Sequence, residues 1–142
     1  MAEFFATEVA GTEASPSTKA SGAVQGGRLR RFRATIEFDG QASGDTIVLA
    51  NVPAGYAFAY GMTTASATAG ASATIAIGTS GSSGKYRAAA VHTSTAPTPF
   101  GVAAAAKAAP LTAAERVIAT IAVAALPNST DFMVVDLYFS AP

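Results

Sequence analysis

The chain has no cysteine, no tryptophan and one histidine. Without cysteine, disulfide staples, thiolate zinc sites and cysteine nucleophiles are excluded, and synthesis in a reducing cytoplasm is compatible with the composition. Charge is scarce: 13% of residues are charged, and nine basic residues balance nine acidic ones. Zero net charge argues against generic nucleic-acid binding, which normally shows a basic excess. It also leaves little repulsion between copies, so a surface with few charges and many Ala, Ser and Thr suits close association with neighbours. Long hydrophobic runs are missing too. The longest, near residues 117–126, is too short and too rich in alanine to cross a bilayer, so no membrane partner is expected. The N-terminus, MAEFFATEVAGTEA, has acidic residues and no apolar stretch long enough for a secretory signal.

What is present is strand pattern. A length of 142 residues suits one domain with an arm. Residues 1–27 show no sustained period and read as an extended N-terminal arm, with Phe4 and Phe5 as apolar anchors onto a partner chain. The domain then occupies 28–142. RLRRFRATIEF alternates, with Phe32, Ala34, Ile36 and Phe38 on one face and Arg31, Arg33, Thr35 and Glu37 on the other. DGQASGD is turn chemistry, and TIVLANV is a second strand ending before Pro53. GYAFAYGMTTA places Tyr56, Phe58, Tyr60 and Met62 on one face and small residues opposite, which suggests close approach by another backbone.

The following ASATAGASATIAIGTSGSSG looks like a linker, but TIAIG within it is strand-like and TSGSSG suits a hairpin tip. KYRAAAVHT returns as a strand, with Tyr86, Ala88 and Ala90 expected inward. Residues 94–110 read as a long connection with one helical turn at 102–108. Thr112 and Glu115 have capping-box spacing, yet the β-branched alternation of Val117, Ala119, Ile121 and Val123 favours a strand over 116–124. PNSTD is read as a turn before FMVVDLYFSA, whose two apolar faces suggest either a central strand or a second face that meets a partner. About seven short strands separated by turns, with no βαβ alternation, indicate an all-β fold. The expected architecture is an antiparallel β-sandwich or a jelly-roll-like barrel.

Chemistry is thin. His92 stands without a GxSxG elbow or a recognisable carboxylate partner, and it reads as an exposed or hydrogen-bonded strand-end histidine. One histidine and nine dispersed carboxylates show no metal-ligand spacing, and DGQASGD lacks the acidic density of a calcium loop. GTSGSSGK misses the phosphate-loop spacing, and no helix follows it. No enzymatic activity, cofactor or metal is therefore expected. The one charge cluster is Arg28, Arg30, Arg31 and Arg33. A solvated strand face and a docking patch for an acidic protein surface both fit it. Nucleic-acid contact fits worse, because no aromatic platform interleaves with the arginines. Glu3, Glu8 and Glu13 on the arm of a neighbouring subunit would complement the patch. Phe4, Phe5 and the four arginines are thus the candidate docking residues.

Three stretches taken together carry a resemblance: DTIVLANVPAGYAFAYGMTTASATAGASATIAIGT, KYRAAAVHT, and LTAAERVIATIAVAALPNSTDFMVVDLYF. Over about residues 29–140 their order of strands and turns resembles small structural proteins of tailed bacteriophages, most of all the head decoration (cement) proteins. The resemblance implies a β-sandwich virion protein on the capsid exterior, made in the host cytoplasm. It also implies a homotrimer whose partner is the major capsid protein and which braces neighbouring capsid subunits. No functional residue transfers, because such a function lies in a surface. A tail or fibre subunit and a host-surface carbohydrate-binding module are the competing expectations.

Overall fold

The computed structural model describes residues 2, 4–12 and 14–142; Glu3 and Glu13, two of the acids expected to complement the arginine patch, lie outside them. Among these described residues, eight strands form two antiparallel four-stranded sheets. They are β1 (Arg28–Asp39), β2 (Thr46–Val52), β3 (Ala57–Ala65), β4 (Thr74–Gly78), β5 (Arg87–Val91), β6 (Thr98–Phe100), β7 (Glu115–Ala122) and β8 (Asn128–Ala141). Two short helices, α1 (Thr7–Ala10) and α2 (Ala103–Lys107), lie outside the sheets. One sheet has the order β1-β8-β3-β6 and the other β2-β7-β4-β5. Strand 1 pairs with 8, 2 with 7, 3 with 6 and 4 with 5, as in a long hairpin rolled onto itself. That is the jelly-roll form of the sandwich.

The alternation read in β1 is realised: Ile36 and Phe38 are buried, Phe32 and Ala34 pack against the core, and the odd-numbered residues are exposed. β8 is central, between β1 and β3. Its Met133, Val135, Leu137 and Phe139 are buried, and they meet Ile75, Ile77, Val117 and Ile121 of the other sheet in one core. Each such side chain contributes about 1.5–3 kcal/mol by leaving water. Phe139 is the centre of an aromatic cluster, 5.8 Å from Phe32, 5.5 Å from Phe58 and 5.6 Å from Tyr86 between ring centroids.

The plain stretch after β3 is a folded loop. Ala69 and Ala73 are buried, the Ala69 N–H donates to the His92 carbonyl at 3.0 Å, and the Ser66 hydroxyl accepts from the Phe132 N–H at 2.9 Å. The TSGSSG segment joins β4 to β5 as the tip of a hairpin, with the Thr79 N–H bonded to the Ser82 carbonyl at 2.9 Å.

Several local readings are corrected. In β3 a register shift between Phe58 and Tyr60 moves Tyr60 and Met62 to the outer face, while Gly61, Thr63 and Ala65 turn inward. The space beside Gly61 is filled by the Phe100 ring rather than by a backbone. Tyr86, just before β5, is buried, but Ala88 and Ala90 within it are exposed: β5 is an edge strand, shifted in register against β4 between Ile75 and Ile77. Arg87 fills that irregularity, its Nη1 donating to the carbonyls of Ile75 and, at 3.3 Å, Ala90. Residues 98–100 within the expected connection form β6, an edge strand that tolerates Pro99.

PNSTD is not only a turn, since β8 begins at Asn128. β7 ends at Ala122, and Val123 then adopts φ 71°, with the Ala124 N–H bonded to the Ala122 carbonyl at 2.9 Å. This is a tight γ-turn on a β-branched residue, a strained conformation. The capping-box residue Glu115 starts β7 instead of a helix.

Candidate functional site

The outer face of the β1-β8-β3 sheet is built by cross-strand rows. Arg31 stands opposite Tyr138, which stands opposite Tyr60; Arg33 stands opposite Asp136, which stands opposite Met62. Glu37 lies beside Phe132. The Tyr60 and Tyr138 rings stack at 4.6 Å with 19° between planes. Leu29, Tyr60 and Phe132 are 51%, 41% and 40% exposed. An antiparallel sheet that meets only water normally carries polar residues there. This face instead offers aromatic and aliphatic surface beside two arginines, the composition enriched at protein contacts.

The arginines are partly organised. Arg31 donates to Asp136 in a fork, Nε to Oδ1 at 2.8 Å and Nη2 to Oδ2 at 2.6 Å. Arg33 Nε lies 3.5 Å from the same Oδ1. The hydrogen bonds that Arg31 donates to Asp136 raise its pKa above the ordinary value. One carboxylate thus holds two guanidinium groups and leaves the patch with surplus positive charge. Arg28 and Arg30 follow the opposite parity along β1, yet both are exposed, and neither makes an ion pair among the described residues. The structure therefore gathers Arg31 and Arg33 on one face and sets Arg28 and Arg30 at its border. Phe4 and Phe5 are 90% and 50% exposed on the arm and take no part in the core cluster. Sequence reasoning missed Tyr60, Tyr138 and Phe132 as members of this face. The two apolar faces of FMVVDLYFSA were the available signal; the β3 bulge gave none.

The other candidates lie elsewhere. His92 is buried rather than exposed, and its Nε2 has no hydrogen-bond partner among the described residues. Burial, with the Arg87 charge adding to it, lowers its pKa. GTSGSSGK forms the β4–β5 connection. There Lys85 and the Tyr86 hydroxyl both donate to the Glu115 carboxylate, tying the hairpin to the start of β7. Burial pushes the Tyr86 pKa up, and the Glu115 contact adds to the shift. In DGQASGD the Asp45 carboxylate accepts from the Ala42 N–H at 2.7 Å, and Gly44 takes φ 100°, so the loop is held by its own turn bonds. Among the described residues no three His, Asp or Glu gather as metal ligands. An open cleft of about 470 Å³ lies between α1, Ala57–Ala59 of β3, Ser140 of β8 and Ala106–Pro110 at and beyond the end of α2, and Glu8 and Lys107 are its ionisable lining residues.

No protein-family model matches the chain, and a search of curated proteins finds no match. The fold is similar to that of three solved chains from phage capsids. One, from the cyanophage Pam1 capsid asymmetric unit, has a TM-score of 0.66 at 18% identity, covering 94% of this chain and 99% of that one. A chain of the Ralstonia phage GP4 capsid has a TM-score of 0.62 at 15% identity, covering 82% and 84%. A chain of the acid-stable capsid of Helicobacter pylori bacteriophage KHP30 has a TM-score of 0.59 at 12% identity, covering 80% and 88%. At these identities the likeness establishes the fold.

Proposed function

We propose that this chain is a non-enzymatic structural protein of a bacteriophage virion that decorates the capsid exterior and braces neighbouring capsid subunits. The observation that carries the proposal is the likeness to the Pam1 capsid chain over 94% of this chain and 99% of that one. A protein made of this sandwich and little else therefore has a counterpart in a phage capsid. The surface supports the reading. A sheet face with exposed Leu29, Tyr60 and Phe132 suits coverage by neighbouring subunits, as does an arm with exposed Phe4 and Phe5. Closed symmetry, with a trimer as the proposed form, multiplies contacts that are individually weak.

The test uses capsids of the parent phage assembled without this chain. Purified protein is added to expanded capsids, followed by sedimentation and by thermal unfolding of the particle. Decoration gives saturable co-sedimentation at a fixed copy number and a higher particle melting temperature. Recovery only with tails identifies a tail or fibre subunit instead. Binding of the isolated chain to a glycan array, with none to capsids, identifies a carbohydrate-binding module.

A further inference from the structure

We infer that the N-terminal arm of one copy docks on the outer β1-β8-β3 face of a second copy. Phe4 and Phe5 cover the apolar area around Leu29, Tyr60 and Tyr138, and the arm's glutamates meet the arginines of β1. Three observations carry this. First, both surfaces are unpartnered within the chain: Phe4 is 90% exposed, while Leu29 and Tyr60 are 51% and 41% exposed.

Second, their charges are complementary. Residues 1–18 hold Glu3, Glu8 and Glu13 and no Lys or Arg, whereas residues 28–33 hold four of the nine basic residues of a neutral chain. Asp136 alone answers that patch among the described residues, leaving Arg28 and Arg30 without an ion pair. An acidic, aromatic segment and a cationic, aromatic face on the same neutral chain favour association between copies.

Third, the root of the arm is fixed on its own chain and its aromatic end is not. Ala23 is buried, the Gln25 N–H bonds the Ser21 carbonyl at 2.8 Å, and α1 shares a cleft with Ala57, Ala59 and Ser140 at one end of the sheet, whereas Phe4 stays 90% exposed. That aromatic end is presented to a neighbour. A contact of arm on face is head-to-tail, the type that closes into a ring when the rotation permits.

The absence of native cysteine makes the test specific. A Phe4→Cys chain is mixed with a Tyr60→Cys chain and oxidised, and products are read on non-reducing gels. The control pairs Phe4→Cys with Asn51→Cys, which sits on the other sheet. The expected result is a disulfide-linked dimer between the two different chains, well above the control. Its yield falls roughly tenfold in about 0.5 M salt. Arg28→Glu with Arg30→Glu in the Tyr60→Cys chain lowers it likewise.

Light scattering adds a second readout. Phe4→Ser with Phe5→Ser converts the wild-type oligomer to monomer with an unchanged melting temperature. Cross-linking no better than the control overturns the inference. So does cross-linking of a Phe4→Cys/Tyr60→Cys chain only within monomers, since the arm then covers its own face. Leu29→Cys provides an alternative acceptor site if Tyr60→Cys lowers the melting temperature. The experiment uses no capsids, so its failure leaves the capsid reading standing, and failure to bind capsids leaves this contact standing.

Discussion

Replacing Phe139 by alanine should remove the contact that joins the two sheets at the centre of the sandwich. Its ring is fully buried and meets Phe32 and Phe58 of its own sheet and Tyr86 of the opposing one, at 5.5–5.8 Å between centroids. Three edge-to-face neighbours leave little room for the site to collapse, so a cavity persists. Large-to-small changes of this kind cost about 3–5 kcal/mol. The lost aromatic pairs, about 0.5–1.5 kcal/mol each, place this site in the upper part of that range. A domain of this size has a total stability of about 5–15 kcal/mol, so the variant should be marginal. Its melting temperature should fall by about 10–15 °C. Phe139→Leu keeps most of the volume and should lose about 1–2 kcal/mol. Urea unfolding followed by circular dichroism measures both variants. A loss below about 1 kcal/mol for Phe139→Ala, or equal losses for the two, would refute the cluster as the bond between the sheets.

Four further outcomes follow from the geometry. Gly61→Ala drives a methyl group into the Phe100 ring, costing about 1–3 kcal/mol and loosening β6; adding Phe100→Ala should recover part of the loss, and strict additivity would refute the contact. Glu115→Ala orphans the Tyr86 hydroxyl and should cost about 1–3 kcal/mol, and a double-mutant cycle with Tyr86→Phe should show coupling rather than none. His92 has a depressed pKa in the fold, so its unfolded form takes up a proton first as pH drops below about 6.5. Its contribution then makes stability fall by at most about 1.4 kcal/mol per pH unit until the folded pKa is reached, and His92→Gln should flatten that slope in melting curves from pH 7 to 5. Val123→Gly relieves the strained γ-turn and should leave stability unchanged or raise it by up to about 1 kcal/mol, whereas a loss above about 1 kcal/mol would show that the turn is unstrained.

The strands with strict alternation were legible because burial on one side imposes period two. β1, β2 and β7 were read in nearly their final extent and β8 without its first four residues, and the apolar character of both β8 faces pointed to its central place. Shifts of register were not legible. The bulge near Ala59 turns Tyr60 outward, and nothing in AFAYG marks it, because either phase of that segment buries apolar atoms. β6 was hidden by Pro97 just before it and Pro99 within it, which an edge strand accepts. β5 looked amphipathic, but an outermost strand has little core beneath it. The arginine cluster was visible as four residues in six, while its partner Asp136 lies 105 positions from Arg31.

Composition and side-chain period are local properties, and they were enough to read an all-β chain with scarce charge and an aromatic, acidic arm. Which residues share the outer face depends on how the strands pair. Antiparallel pairing of β8 with both β1 and β3 sets Arg31 beside Asp136 and stacks Tyr60 on Tyr138. Such neighbours are fixed by strand register, and register is a property of the closed sheet rather than of any one strand.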